Sequence, residues 1–387
     1  MRRITRRGFL AAGAGAVLTL GGRTRSAGAA LGTSVEPRVS HLVSGVSPLP
    51  LEEKIGQMLL VGFRGNYLDN ANPIVDAISN LHIGGVILFD GPDPTIGNIG
   101  SPEQLHSLTA SLQALAPTRL FIAVDEEGGN VARLNERNGF PFLPSQQYLG
   151  NLNDTSTTRY YADTTASVLV ENGINLNLAP VVDLDINPSN PIIGALGRSF
   201  SSDPDVVVNH SFEVIAAHLQ RRVFCALKHF PGHGSSAGDS HLGFVDVTNT
   251  WSPIELEPFR RIIDWKMRMA IMTAHIFNAN LDPDLPATLS HKTVTGLLRE
   301  KLRFDGVVIS DDMQMHSITD YYSFETAIEL AVKAGVDIIN IGTNMLYGPD
   351  TVSRAIGAIR GLVDRGEIPI ERIDQSHSRI MRLKALF

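Results

Sequence analysis

The 387-residue sequence holds a single cysteine, Cys225. One cysteine excludes an intramolecular disulfide and any zinc site built on cysteine pairs. Charge of one sign is also scarce. Charged residues make up 19% of the chain and the formal net charge is −7. No basic field points to nucleic acid, and a mild negative balance is what keeps a folded chain soluble. Beyond the N-terminal segment, no apolar run is long enough to cross a bilayer as a helix. The glycine–lysine signature of a nucleotide-binding loop is missing as well.

What is present begins with a targeting segment. "MRRITRRGFL" carries Arg6 and Arg7 before Gly8-Phe9-Leu10, and "AAGAGAVLTLGG" follows, apolar but too short to be a stable span. The small residues Ala27 and Ala29 flank Gly28, which suits cleavage after Ala29. Residues 1–29 therefore look like a twin-arginine signal, 30–50 like a linker, and 51–387 like the folded body. The expectation is a soluble protein exported to the periplasm or the extracellular space, without a lipid anchor near the cleavage site.

From Leu51 onward, short apolar runs alternate with longer amphipathic stretches. The runs are "QMLLVGF", "GGVILF", "LFIAVD", "INLNLAP", "VFCALKHF", "AIMTAH", "GVVISD" and "VDIINIG". Each is continuously apolar, as parallel strands buried on both faces are. "PEQLHSLTASLQAL", "DVVVNHSFEVIAAHLQRR", "HKTVTGLLREKL" and "QSHSRIMRLKALF" carry helical periodicity between and after them. Eight such units in series predict an α/β fold, a single (β/α)8 barrel. The competing doubly wound sheet needs a glycine-rich turn after an early strand, and "FRGN" matches that poorly.

A barrel of this kind does its chemistry where the strands end. The runs stop at Asp125, Asp183, Lys228 and His229, His275, and Asp311 and Asp312. The densest cluster is "KHFPGHGSSAGDSHLG", residues 228–243. His229, His233, His241, His275 and Asp311 are conceivable metal ligands, but Lys228 places a positive charge beside any cation. A serine triad is disfavoured, since Ser240 and His241 are neighbours and point different ways. Asp239 and His241 are one residue apart, so an extended loop puts both side chains on one side. The carboxylate can then orient the imidazole as a general acid/base. Asp311 at a strand tip suits a nucleophile, and glycoside hydrolysis divides labour in this way. Most glycosidases protonate with a carboxylic acid, so a histidine in that role is an exception.

The ordered motifs "VDEEGGNVARL", "NLAPVVDLDINP", "GRSF", "KHFPGHG", "DSH", "MTAHI", "PATLS" and "FDGVVISDDM" resemble the β-N-acetylglucosaminidase branch of glycoside hydrolase family 3. The resemblance runs from Leu51 to the C-terminus. It implies a barrel domain, a retaining mechanism, and neither metal nor cofactor. It implies Asp311 as nucleophile, His241 as acid/base on a mobile loop, and Asp239 as its partner. Asp125, Arg198, Lys228 and His229 match the residues that bind sugar hydroxyls and the N-acetyl group, with Arg133 a further candidate. His233 is expected to serve the loop, His275 either pocket or core, and Asp312 a structural hydrogen bond. The implied substrate is an oligosaccharide ending in β-linked N-acetylglucosamine, acted on by a monomer. Two departures flank the expected pocket. Asn130 stands where the motif usually has arginine, and "PIIGALGRSF" carries extra residues before Arg198. The C-terminal α/β domain of many relatives is not expected. A phosphorylase on the same scaffold, a β-glucosidase of the same family and a non-catalytic sugar-binding protein are the alternatives.

Overall fold

The computed structural model describes residues 49–91, 93–343, 346 and 348–386. The proposed signal, and all but the end of the proposed linker, lie outside the described residues. Eight parallel strands form the centre: β1 (Leu59–Gly62), β2 (Gly85–Leu88), β3 (Phe121–Val124), β4 (Leu176–Asn177), β5 (Phe224–Phe230), β6 (Ala270–Thr273), β7 (Val307–Ile309) and β8 (Ile339–Ile341). Each falls inside one of the eight apolar runs, and every residue in them is buried. Each strand pairs with its neighbours in sequence, and β8 returns to β1 through the pair Leu59↔Ile339. The β7–β8 seam is joined by the single bridge Ile309↔Ile338, which brings the sheet round into a barrel.

The helices between strands start where local chemistry says they should. Asn72, Ser101, Asp154, Asp203 and Ser323 each cap a helix by accepting a backbone N–H in its first turn. Pro73, Pro102 and Pro204 occupy first positions, where no intrahelical N–H is needed. The last helix, Ile370–Lys384, begins five residues before the apolar periodicity of "QSHSRIMRLKALF", because its first turn is polar and follows Pro369.

Two features had no sequence forecast. Directly after β3 the chain folds into a short antiparallel ribbon, Glu126–Gly128 with Val131–Ala132. The seam between β7 and β8 is completed by a side chain: fully buried Asp337 accepts the Val308 N–H at 3.0 Å. Arg299, Arg372 and Arg379 surround that carboxylate, and the Ser376 hydroxyl donates to it at 2.6 Å. No helix among the described residues is long and apolar enough to cross a membrane.

Candidate active site

A cavity of about 280 Å³ opens at the C-terminal ends of the strands. Its walls include Asp125, Arg133, Arg198, Lys228, His229, Asp239, His241 and Asp311. The eight residues to which the resemblance gives catalytic or sugar-binding roles therefore meet in one place.

Asp311 follows the last residues of β7 and is partly exposed, with Oδ1 accepting the Asp312 N–H at 2.8 Å. Burial works against its charge, but His275, His229 and His241 favour it, and its pKa is held at about 2. The adjoining Asp312 behaves oppositely. Burial, helped by the charge of Asp311, raises it to about 6. Its Oδ1 accepts from the amides of Gln314 (3.0 Å) and Gly342 (2.9 Å), so it ties the end of β7 to β8. His275 is buried in the wall behind them. It donates from Nε2 to the Asp312 carbonyl at 3.0 Å and meets the Thr288 hydroxyl with Nδ1 at 2.9 Å.

The histidine dyad forms as its spacing requires. Asp239 Oδ1 accepts both the His241 N–H (2.8 Å) and the ring Nδ1–H (2.7 Å). A carboxylate can only accept, so Nδ1 carries a proton and Nε2 is the ring atom free to give or take one. The His241 side chain is 51% exposed, whereas the first part of the loop leading to it, Pro231 to Ser236, is buried. Asn190 donates to the carbonyls of His233 and Gly234, and Asn187 to that of Ser236. His233 bonds Ser236 Oγ at 2.6 Å and Ser240 Oγ at 3.3 Å. A Cβ on Gly234 would lie 1.8 Å from the Leu184 carbonyl, so only glycine lets the loop lie this close. "GSSAG" also has the spacing of a serine nucleophile turn, yet Ser236 is fully buried and its hydroxyl donates to the His233 carbonyl.

On the opposite wall four ionic groups interlock. Lys228 Nζ donates to Asp125 Oδ1 (2.6 Å) and contacts Glu127 Oε1 (2.7 Å). Glu127 also receives both Arg198 Nε and Nη2 at 2.8 Å, a two-pronged pairing. Burial opposes the Glu127 charge, but Arg198 and Lys228 outweigh it and hold its pKa below the carboxylate range. Lys228 loses by burial and gains more from Asp125 and Glu127, so its pKa rises. Arg133 reaches Asp125 at 3.7 Å and Asp90 at 3.6 Å. Lys228 and His229 are joined by a cis peptide, and both line the cavity. His229 donates from Nδ1 to buried Asp183 at 2.7 Å, which leaves Nε2 3.4 Å from Arg198 Nη2.

Glu127 had not been singled out. Its signal was indirect: two cations, Arg198 and Lys228, assigned to one pocket need more anionic partners than Asp125 provides. The two departures from the family pattern touch each other. Asn130 donates to the Leu196 carbonyl at 3.0 Å, and Leu196 and Ile192 of the extended loop line the cavity.

An ionised carboxylate and a carboxylate-oriented histidine share one barrel mouth with a cluster of hydrogen-bonding charges suited to hydroxyls. That combination is the equipment of a barrel enzyme, with groups able to serve as nucleophile and as acid/base. The chain belongs to glycosyl hydrolase family 3, whose N-terminal domain it matches over residues 50–383. Beta-hexosaminidase A of Pseudoalteromonas piscicida is 32% identical, over 89% of this chain and 62% of that protein. Beta-hexosaminidase LpqI of Mycobacterium tuberculosis is 30% identical, over 94% of this chain and 91% of its own. Among solved structures, a family 3 beta-N-acetylglucosaminidase from Paenibacillus sp. superposes with a TM-score of 0.80 at 34% identity, covering 87% of this chain and 62% of that one. A Beta-N-acetylhexosaminidase from Beutenbergia cavernae gives 0.78 at 29% identity, covering 87% and 99%. The chain thus spans less than two thirds of the Pseudoalteromonas and Paenibacillus proteins and nearly all of the other two.

Proposed function

We propose that this protein is a retaining, exo-acting β-N-acetylhexosaminidase that releases terminal β-linked N-acetylglucosamine from cell-wall or chitin-type oligosaccharides. The observation that carries the reading is the pairing in one cavity of Asp311, held ionised, with the Asp239–His241 dyad. The relatives named beta-hexosaminidase and the solved beta-N-acetylglucosaminidases support it.

Two displacements at the anomeric carbon account for the chemistry. Asp311 attacks that carbon as protonated His241 passes its Nε2 proton to the glycosidic oxygen, and the aglycone departs. The sugar is then esterified to Asp311. His241, now neutral, takes a proton from water at Nε2. The hydroxide oxygen bonds to the anomeric carbon, the bond to Asp311 breaks, and both groups return to their starting state. Asp239 holds the ring through Nδ1–H in both steps. Asp125, Lys228, His229, Arg198 and Arg133 hold the terminal sugar by its hydroxyls and N-acetyl group. Export on the twin-arginine-type segment would bring a monomeric enzyme to such substrates outside the cytoplasm.

Aryl N-acetyl-β-glucosaminide turnover, with and without phosphate and beside the aryl glucoside, tests the reading. Phosphate-independent release of N-acetylglucosamine is expected. Sugar phosphate as product would make the protein a phosphorylase, and activity confined to the glucoside would make it a β-glucosidase. Asp311→Asn should drop turnover to near background with the fold intact by circular dichroism. His241→Ala should slow alkyl glycosides by about 10²- to 10⁴-fold and activated aryl glycosides far less. Equal losses on both would remove His241 from proton transfer.

A further inference from the structure

Three aromatic rings meet on the rim beside the dyad, outside the cavity wall. Phe244 lies three residues after His241 in the loop after β5 and is 48% exposed. Phe277 lies two residues after His275 in the loop after β6, and Tyr321, 59% exposed, ten residues after Asp311. The Phe244 centroid is 5.4 Å from that of Phe277 and 5.5 Å from that of Tyr321. Leu242, next to His241, is 77% exposed. Single apolar residues on a surface are ordinary. Rings sent by three separate loops to one wet spot are not, and such patches mark binding. The loops are tied together as well. The Val245 carbonyl accepts the Phe277 N–H at 2.8 Å, and the Ser240 carbonyl accepts the Ser317 N–H at 3.3 Å.

We propose that Phe244, Phe277 and Tyr321 form the platform for the aglycone, and that the aglycone they select is a neutral sugar. The inference rests on the hydrolase reading and adds which leaving sugar the site takes. With the terminal sugar in the cavity, the next pyranose emerges past His241, and its C–H face can pack on the exposed rings. The charges decide what kind of sugar that is. Residues 233–250, 275–291 and 311–322 contain no lysine or arginine. Their carboxylates are Asp239, Asp246, Asp282, Asp284 and Asp320, besides Asp311 and Asp312, and Lys292, just past the second stretch, is already taken up by Asp282 at 3.3 Å and Asp284 at 4.0 Å. A carboxylate on the aglycone, whether a lactyl ether or an acidic peptide, meets repulsion on this side. A second N-acetylglucosamine does not. Phe244 shares its loop with His241, so seating the second ring also places the proton donor against the leaving oxygen. Part of the binding gain then appears in turnover.

The test compares N,N′-diacetylchitobiose with methyl N-acetyl-β-glucosaminide. Both leave as alkoxides, and only the first presents a second ring. In Phe244→Ala and in Tyr321→Ala, the ratio of the two kcat/KM values should fall about five- to tenfold. Phe244→Trp should keep the ratio near that of the unaltered protein. Equal losses on both substrates would mean that the rings only brace the loop, and an unchanged ratio would mean that no sugar touches them; either overturns the platform. Faster cleavage by the unaltered protein of the disaccharide bearing a lactyl carboxylate than of diacetylchitobiose would overturn the preference for a neutral aglycone. Failure of the unaltered protein on every N-acetylglucosaminide would sink the hydrolase reading, and the platform with it.

Discussion

Glu127 keeps its charge inside the barrel mouth only because Arg198 and Lys228 bracket it. Replacing it by glutamine leaves two buried cations short of an anion, which costs about 3–5 kcal/mol. Urea denaturation at neutral pH should show that loss for Glu127→Gln. The pH dependence follows from the sign of the shift. The folded carboxyl titrates below its unfolded value, so its contribution is complete above the unfolded pKa and disappears as pH falls toward the folded one. The unaltered protein should therefore lose stability on acidification below about pH 4.5 more steeply than Glu127→Gln. Sequence reading stopped short of Glu127 for a physical reason. "VDEEGG" offers three adjacent carboxylates, and strand alternation cannot choose among them once the chain leaves β3 for the ribbon. Asp239 and His241 were legible because their relation is local: one intervening residue in an extended loop suffices to bring ring and carboxylate together. The dependence of His229 on Asp183 spans 46 residues, and only the closed barrel makes it.

Elements with a strong local signal were legible, and those made by distant contacts were not. All eight strands could be located because burial on both faces leaves an uninterrupted apolar run. The ribbon after β3 is too short and glycine-rich to carry a period. The β7–β8 seam has one backbone bridge, and nothing in "AGVDIIN" announces that Asp337 supplies the missing acceptor. That seam makes an element-level prediction. Asp337→Ala removes the acceptor for Val308 and strands Arg299 and Arg372, while Arg379 keeps Asp305 at 3.2 Å, and the loss should cost about 3–5 kcal/mol. Hydrogen exchange should show amide protection falling first at Val308 and Ile338, with β2 and β3 affected only by global unfolding. Uniform loss of protection would mean that the seam carries no local weight.

At the scale of the whole molecule, the last helix seals the barrel at the end opposite the cavity. Lys384 reaches in to donate to Gln57 Oε1 and the Gly84 carbonyl, each at 2.7 Å, with the Phe121 ring 5.0 Å away. The residue is 6% exposed, and burial lowers its pKa to about 7. A neutral amine has two hydrogens to give, and both are given. Here the folded pKa lies below the unfolded one, so unfolding takes up a proton across the range between them. Stability therefore falls as pH drops from about 10.5 to 7 and levels off below. Lys384→Met should relieve that cost and gain about 1 kcal/mol or more at pH 6, with little or no gain at pH 9. Equal effects at both values would show that the amine is charged throughout. The architecture itself was legible from length and rhythm; this seal was not, because a lysine near the chain end reads as surface.

The opposite end has the reverse character. Asp311 sits in the cavity, while the His241 ring beside it in the lining stands half in solvent. On the double-displacement route, a sugar esterified to Asp311 is then open to more than water. A small alcohol reaching the same face can lose its proton to His241 and take the sugar. On that route so exposed a base would let the protein assemble glycosides as well as cut them, with the balance set by whatever acceptor is most abundant at its mouth.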